Sequence, residues 1–207
     1  MTLETLNAIA AEIPASATAE DEARAGTYAL LGALLRDIPS PALLEQVQRL
    51  DSATGRDAFA LAWEGIRLSA GHVRFGELDD EYHVLFIGLG RGELVPYGSW
   101  YQTGFLMEQP LGVLRRDLAG LGFERQPGVH EPEDHVAALC EVMGHLALDP
   151  DVSIERQRDF FRAHIDSWVD RFFCDLEKAE AAVFFKSVAR LGTAFFNLER
   201  RYLEMES

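Results

Sequence analysis

The sequence has few cysteines and no long apolar run, and both shortages restrict what the protein can be. Cys140 and Cys174 are its only cysteines, and each falls within a helical apolar pattern. Neither a disulfide framework nor a CxxC metal site is therefore indicated. No apolar stretch approaches the roughly 18 to 20 residues of a membrane span. Residues 15–17 read Ala-Ser-Ala, as before an export cleavage site, but Glu4 and Glu12 stand where basic and apolar residues would be needed. We expect a cytoplasmic protein without membrane insertion.

Positive charge is also scarce. The chain has 34 Asp and Glu residues against 19 Lys and Arg, which gives a formal net charge of -15. Because such a surface repels phosphate backbones, nucleic acid is not an expected partner. A basic peptide is compatible with the charge. The length of 207 residues and the hydrophobic content of 48% are sufficient for a domain with a buried core.

Alternation of polar and apolar residues, the pattern of β-strands, is missing as well, and β-branched residues are sparse. Apolar residues recur instead at spacings of three and four, which is typical of helices. The clearest example is a stripe near the end of the chain: Phe184, Val188, Leu191, Phe195, Leu198 and Tyr202. The sequence therefore predicts an all-α fold, a single globular bundle of eight to ten helices.

The chain divides into a short first segment and one main domain. Residues 2–12 have an amphipathic helical pattern with these apolar residues on one side: Leu3, Leu6, Ile9 and Ala10. Pro14 and its small neighbours end that pattern. We predict a helical arm at residues 1–16 and an all-helical domain at residues 17–207.

A glycine-rich run interrupts the helical pattern in the middle of the chain. Within nine residues it contains Gly88, Gly90, Gly92 and Pro96. The spacing matches neither the GxGxxG fingerprint nor a Walker loop. We interpret residues 88–98 as a flexible loop or hinge and expect no nucleotide or other cofactor there.

Several helix ends can be predicted from capping chemistry. Thr18, and Ser40 followed by proline, are typical of helix starts. Ser99 is predicted to cap the helix after the glycine-rich run, and Pro110 to kink or split that helix. Glu131-Pro132 is predicted to open the next helix, whose inner face carries Val136, Leu139, Cys140, Met143 and Leu146.

An acidic cluster at the start of that helix invites a catalytic interpretation. Glu131, Glu133, Asp134 and His135 lie within five residues and include acid and base side chains. Acidic residues in a first turn also stabilise a helix through its dipole. No nucleophile motif accompanies the cluster. We therefore do not expect an enzyme.

The alternative is a carboxylate-bridged metalloenzyme, since helical bundles hold paired irons with two Glu-x-x-His motifs and two further Glu residues. Here Asp80 and His83 form one Asp-x-x-His, while Glu141 and His145 are four residues apart. Because two complete motifs are missing, we expect no metal.

An aromatic group is better suited to binding. Tyr97, Trp100 and Tyr101 offer apolar faces with polar tips, which favour peptide binding, although they equally suit a seal over the core. The carboxylates within residues 131–134 can accept hydrogen bonds from arginine. Together they suit a segment that is apolar along most of its length and doubly basic at one end.

These motifs resemble the TorD/DmsD/NarJ family of redox-enzyme maturation chaperones. The resemblance rests on Glu81-Tyr82, Leu85-Phe86, the run Pro96-Tyr97-Gly98-Ser99-Trp100-Tyr101, and Glu131-Pro132-Glu133-Asp134-His135 before the helix of Met143. It implies an all-helical cytoplasmic chaperone that binds the twin-arginine signal peptide and the apo-form of a molybdoenzyme catalytic subunit. The chaperone would retain this precursor until its cofactor is inserted.

The resemblance also implies site residues. Asp134 and His135 would bind the client, Glu131 and Pro132 would shape that helix start, and the apolar pocket would be lined by Tyr97, Ser99 and Trp100. A monomer and a homodimer are both compatible with it. A structural adaptor that uses the same surface without any export signal remains a further possibility.

Overall fold

A computed structural model describes residues 14, 17–53, 55–89, 91–125, 128 and 131–205. The predicted arm at residues 1–16 lies outside the described residues except for Pro14. Within the described part, ten α-helices and one π-helical segment follow one another, and no β-strand occurs. These observations confirm the predicted all-α fold and the number of helices.

The helices have the following bounds: α1 Ala19–Arg36, α2 Pro41–Arg49, α3 Ala58–His72, α4 Phe75–Tyr82, the π-helix His83–Ile87, α5 Gly98–Thr103, α6 Gln109–Gly120, α7 Val136–Leu148, α8 Ile154–His164, α9 Val169–Lys178 and α10 Phe184–Met205. No helix among the described residues combines the length and the apolar composition needed to cross a bilayer.

Local capping chemistry explains two of the predicted starts. The Thr18 side chain accepts a hydrogen bond from the backbone N–H of Asp21, and the Asp21 carboxylate accepts one from the backbone N–H of Thr18, which completes a capping box. Ser40 caps α2 through the N–H of Leu43, and Pro41 occupies the first helical position. Both predictions are confirmed.

Two other predicted starts are wrong. Ser99 lies inside α5, whose N-cap is Tyr97, and α7 begins at Val136 rather than at Glu131-Pro132. The physical reason is a pairing between two distant segments. The chain around His135 is extended because its backbone bonds to the chain around Tyr97. The predicted split at Pro110 is confirmed, since α5 ends at Thr103 and α6 begins at Gln109.

The glycine-rich loop joins the π-helix to α5. Gly88 has a φ of 61°, and a side chain there would clash with the carbonyl of Arg91. Its second half is tied to the bundle, because Leu94 donates to the Leu85 carbonyl at 2.8 Å and Glu93 accepts from the N–H of Glu180 at 2.7 Å. The glycines thus permit a tight fold of the chain on itself. The flexibility of this loop stays a prediction.

The core lies between α1, α7 and the C-terminal helices. The most extensive contact between two helices joins α1 to α7, where Gly32 and Gly144 allow close approach of the two backbones. Aromatic rings fill the space between α8, α9 and α10, and these are fully buried: Phe161, Trp168, Phe172, Phe173, Phe185 and Phe196. This half of the bundle contacts α5 through Tyr101, which stacks on Trp168.

A single glycine sets the spacing of α9 and α10. A methyl group at Gly192 would lie 2.2 Å from the ring of Phe173. The ring is fully buried and packs on Phe172 and Phe196, so it has little room to move.

We predict that Gly192→Ala lowers the free energy of unfolding by about 1 to 3 kcal/mol, because it overpacks this contact. Gly112 in α6 is the matched control, since it is exposed and no atom lies near its added methyl group. Gly112→Ala should raise stability by about 0.5 to 1 kcal/mol through helix propensity. Urea unfolding of both variants measures the difference, and equal effects would contradict the packing argument.

Candidate functional site

The site is built on an antiparallel backbone bridge between Tyr97 and His135. Gly98 donates its N–H to the Asp134 carbonyl at 2.9 Å, and Val136 donates to the Pro96 carbonyl at 2.9 Å. These bonds place the starts of α5 and α7 side by side. The aromatic and acidic motifs, which are far apart in sequence, therefore meet in space.

The Asp134 side chain reinforces the bridge. Its Oδ2 accepts a hydrogen bond of 2.7 Å from the backbone N–H of Ser99, in the first turn of α5. Both residues are buried, with Asp134 3% exposed and Ser99 completely enclosed. Within the described residues, Ser99 Oγ and Asp134 Oδ1 have no hydrogen-bond partner. Asp134 is thus a positioning residue in this conformation.

His135 forms the N-cap of α7. Its Nδ1 accepts a hydrogen bond from the N–H of Ala137 at 3.1 Å, so this nitrogen carries no proton. Burial, and secondarily the positive charge of Arg36, lower the pKa of His135 to about 3. The Tyr97 ring meets the imidazole edge to face at 5.1 Å. His135 is therefore a neutral structural cap near neutral pH.

Tyr97 connects this buried layer to the surface. Its half-buried hydroxyl donates a hydrogen bond to Oε1 of Glu131, which is exposed. Burial, followed by the hydrogen bond and charge of Glu131, raises the pKa of Tyr97 above its ordinary value. The phenol therefore stays protonated near neutral pH and holds the Glu131 carboxylate at the surface.

The other aromatic residues face a different part of the bundle. The Trp100 ring lies under the guanidinium of Arg91, 4.8 Å from the ring centroid. Tyr101 stacks on Trp168 at 5.7 Å and donates its hydroxyl to Asp175. The aromatic motif is thus divided between two sides of α5, and Trp100 lies apart from the carboxylates.

A cleft of about 500 Å³ opens beside the bridge. We call it the carboxylate cleft, because it is edged by Glu124, Glu131, Glu133 and Glu141. Its apolar surface comes from Leu118, Phe123, Pro132, Ala138 and Val142. Among the predicted site residues, Glu131 and Pro132 line the cleft, while Asp134 and His135 lie buried in the bridge next to it.

Sequence reasoning missed the arginines of this cleft. Arg36 forms two hydrogen bonds of 2.7 Å with the Glu141 carboxylate, one to each oxygen. Arg115 lies 2.8 Å and Arg125 3.6 Å from the carboxylate oxygens of Glu133. No local pattern indicated these pairs, because Arg36 and Glu141 are 105 residues apart. The cleft already accommodates guanidinium groups in the geometry that carboxylates favour.

The metalloenzyme alternative finds no support. In the described part of the chain, no three His, Cys, Asp or Glu side chains converge on a point that could hold a metal ion. His83 and His145 are both exposed. Nδ1 of His83 bonds to the Asp79 carbonyl, and the ring of His145 packs near Phe123.

A comparison with models of known protein families shows the family of this chain. Residues 52–174 match the family model described as nitrate reductase delta subunit. The chain belongs to this family. The result confirms the resemblance that the sequence motifs predict. The matched region includes the bridge, the glutamates of the carboxylate cleft and Arg115, but Arg36 lies before it.

Individual relatives have low sequence identity to this member of the delta subunit family. The chaperone protein TorD of Vibrio cholerae is 27% identical over 138 residues, which cover 62% of this chain and 63% of the relative. The chaperone protein TorD of Shewanella piezotolerans is 26% identical over 140 residues, 63% and 64% of the two chains. The aligned region thus spans less than two thirds of the length of either relative.

A solved structure from Archaeoglobus fulgidus, described as a redox enzyme maturation protein, has a TM-score of 0.50 and 21% sequence identity. The alignment covers 86% of this chain and 93% of that protein. At this identity, the comparison supports the shared helical fold.

We predict that folding stability depends on pH through His135. Its folded pKa of about 3 lies below its ordinary value of 6.5, so the unfolded chain binds the proton more readily. The stabilising contribution is therefore complete above pH 6.5 and is lost as the pH falls toward 3. His135→Asn, which keeps a neutral cap acceptor, should remove about 1 kcal/mol of the stability difference between pH 7.5 and 5.5.

Urea unfolding at the two pH values measures this difference. His145→Asn is the control, because it makes the same substitution on the same helix at an exposed position that caps no helix end. An unchanged slope in His135→Asn would show that other groups cause the pH dependence.

Proposed function

We propose that this chain is a cytoplasmic, non-catalytic chaperone for a molybdenum-cofactor oxidoreductase. It binds the twin-arginine signal peptide of the apo-form catalytic subunit and assists cofactor insertion and assembly before export. Membership of the delta subunit family supports this class of function, as do the TorD relatives, which are named chaperones. The observation that carries the proposal is the carboxylate cleft, where an apolar surface meets glutamates that already bind guanidinium groups.

The apolar surface of the cleft suits the uncharged part of such a peptide. Leu118, Phe123 and Val142 supply the large apolar side chains, and the volume of about 500 Å³ falls within the usual range of binding pockets. It is large enough for a few side chains rather than for a whole peptide. The peptide would therefore lie across the surface and insert its apolar residues here, which removes them from water.

The glutamates of the cleft suit the two arginines of the signal peptide. The net charge of -15 attracts a cationic peptide at long range, and the glutamates fix its guanidinium groups at short range. Glu133 is the best placed acceptor, because both of its partners, Arg115 and Arg125, are exposed and can turn toward solvent. A client arginine would replace Arg115 on Glu133 without leaving a carboxylate unpaired.

The predicted site residues then have two kinds of role. Glu131 and Pro132 line the cleft and would contact the peptide. The buried residues Asp134, His135 and Ser99 would hold the bridge in place without contacting the peptide. Tyr97 would act indirectly, because its hydroxyl holds the Glu131 carboxylate. Trp100 would contact the client only if the peptide extended past α5 toward Arg91.

We predict that Glu133→Gln weakens binding of a synthetic twin-arginine leader peptide by about tenfold, because a charged hydrogen bond to arginine is lost. Calorimetry measures the dissociation constant. Glu45→Gln is the control, since Glu45 pairs with Arg49 on α2 and does not line the cleft. A leader with lysines in place of both arginines should bind weakly and lose less from Glu133→Gln. Failure of the wild-type chain to bind any such leader would refute the function.

We predict that Arg115→Gln strengthens binding of the same leader by about two- to fivefold, because it removes the nearer of the two arginines that compete for Glu133. Arg116→Gln is the matched control: Arg116 is the next residue of α6, is also exposed and gives the same change in net charge. It should leave the affinity nearly unchanged. A lower affinity in Arg115→Gln would instead mean that Arg115 contacts the client or holds Glu133 in place.

A further inference from the structure

A second cleft combines apolar walls with carboxylates, as the carboxylate cleft does. Its volume is about 550 Å³, and it lies between α4 and the start of α10, so we call it the α4/α10 cleft. Its apolar walls come from Val73, Val84, Ala181, Val183 and Phe184. Val84 is 54% exposed and Val183 76% exposed. Both side chains can therefore be withdrawn from water when an apolar ligand binds.

The carboxylates of this cleft differ in what they already bind. Glu81 is buried and accepts hydrogen bonds of 2.7 to 3.1 Å from the backbone N–H groups of residues 183–185, which fixes the adjacent wall. Glu77 forms an exposed ion pair with Arg74. Asp80 is exposed, and among the described residues no basic side chain pairs with it. Since no lysine or arginine of the described chain lines the cleft, its rim is negative and favours a cationic ligand.

Helix α4 separates this cleft from the carboxylate cleft. Tyr82 donates its hydroxyl to the carbonyl of Arg36 at 3.0 Å, and Arg36 lines the carboxylate cleft. Asp80, two residues before Tyr82, lines the α4/α10 cleft. Because residues two positions apart are rotated by about 200° on a helix, these two side chains point to opposite sides of α4. The two clefts are therefore neighbours across one helix.

The exposed face of α4 connects the two clefts. By the same helical geometry, Asp79 and His83 lie between Tyr82 and Asp80 on the helix surface, and the side chains of both are about half exposed. α4 contains four carboxylates and no basic residue, so this face is acidic. A helix with its side chains is about 10 to 12 Å wide. An extended peptide that crosses α4 therefore needs about four to six residues.

We propose that the α4/α10 cleft binds the apolar segment of the same leader whose arginines occupy the carboxylate cleft. This inference rests on the proposed function. The carboxylate cleft accommodates a few side chains, whereas the leader is apolar along most of its length. The α4/α10 cleft offers apolar walls with a negative rim, which suit a ligand that is both apolar and cationic. The leader then crosses α4 after its arginines and inserts apolar side chains between Val84 and Val183.

Calorimetry with two synthetic leaders tests this inference. The long leader carries about ten apolar residues after its two arginines, enough to cross α4, and the short leader ends directly after the arginines. The double variant Val84→Asn with Val183→Asn should weaken binding of the long leader about tenfold, because two apolar contacts are lost. It should leave binding of the short leader unchanged. Leu61→Asn with Leu68→Asn is the matched control: these residues of α3 are 65% and 61% exposed and line neither cleft, so both affinities should stay the same.

The outcome separates this inference from the proposed function. If Glu133→Gln weakens binding of the long leader but the double valine variant binds it as tightly as the wild type, the inference is wrong and the proposed function stands. If the wild-type chain binds neither leader, both are wrong.

Photo-cross-linking locates the peptide without any substitution in the chain. A benzophenone group on the long leader, about six residues after the arginines, should attach to Val84 or to residues 181–184. The same group next to the arginines should attach to residues 131–133. Attachment of the first group outside the α4/α10 cleft would overturn the inference.

Discussion

The site depends on one interaction: the pairing of residues 96–98 with residues 134–136, reinforced by the Asp134 carboxylate on the Ser99 N–H. Three short hydrogen bonds join the starts of α5 and α7, two from backbone to backbone and one from the carboxylate. Because Asp134 and Ser99 are withdrawn from water, the bond between them is stronger than the same bond at the surface. Without this pairing, the aromatic and acidic motifs would lie on two unconnected helices.

The residues of the site form a buried layer at the bridge and an outer layer that solvent reaches. Asp134 and His135 belong to the buried layer, where the side chain of each accepts a hydrogen bond from a backbone N–H. Glu131, which is exposed, and Glu133, which is partly exposed, belong to the outer layer, where ion pairs are weaker than in the buried one. The two layers therefore hold different residues of one five-residue motif, residues 131–135. Substitution of Asp134 therefore disturbs the geometry of the cleft, whereas substitution of Glu133 changes its chemistry.

Sequence reasoning succeeded where the determining contacts are local. The caps at Thr18 and Ser40 involve residues three apart, and the spacing of apolar residues reflects burial, so the fold class and these two helix starts could be predicted. It failed at Ser99 and at Glu131-Pro132, because the acceptor for the Ser99 N–H comes from a residue 35 positions away. A serine and a proline are typical of helix starts, and no local signal shows that a distant bridge shifts both starts.

The candidate site was predictable in its residue types rather than in its pairing. The acidic and aromatic motifs meet beside the cleft, since Glu131 and Pro132 line it and Tyr97 bonds to Glu131, and their role in binding stays a prediction. The arginines could not be found in this way. Arg36 is an ordinary basic residue in the last turn of α1, where it also suits the helix dipole.

These arginines account for the stability of a crowded acidic site in a strongly acidic protein. Four glutamates around one cleft would repel each other, and Arg36, Arg115 and Arg125 offset that repulsion. Under the proposed function, a client guanidinium would take the place of Arg115 on Glu133 and keep the planar geometry of that pair, which an ammonium group cannot reproduce. The proposed binding would then favour arginine over lysine in the client, because only a guanidinium reproduces the planar group that Arg115 presents to Glu133.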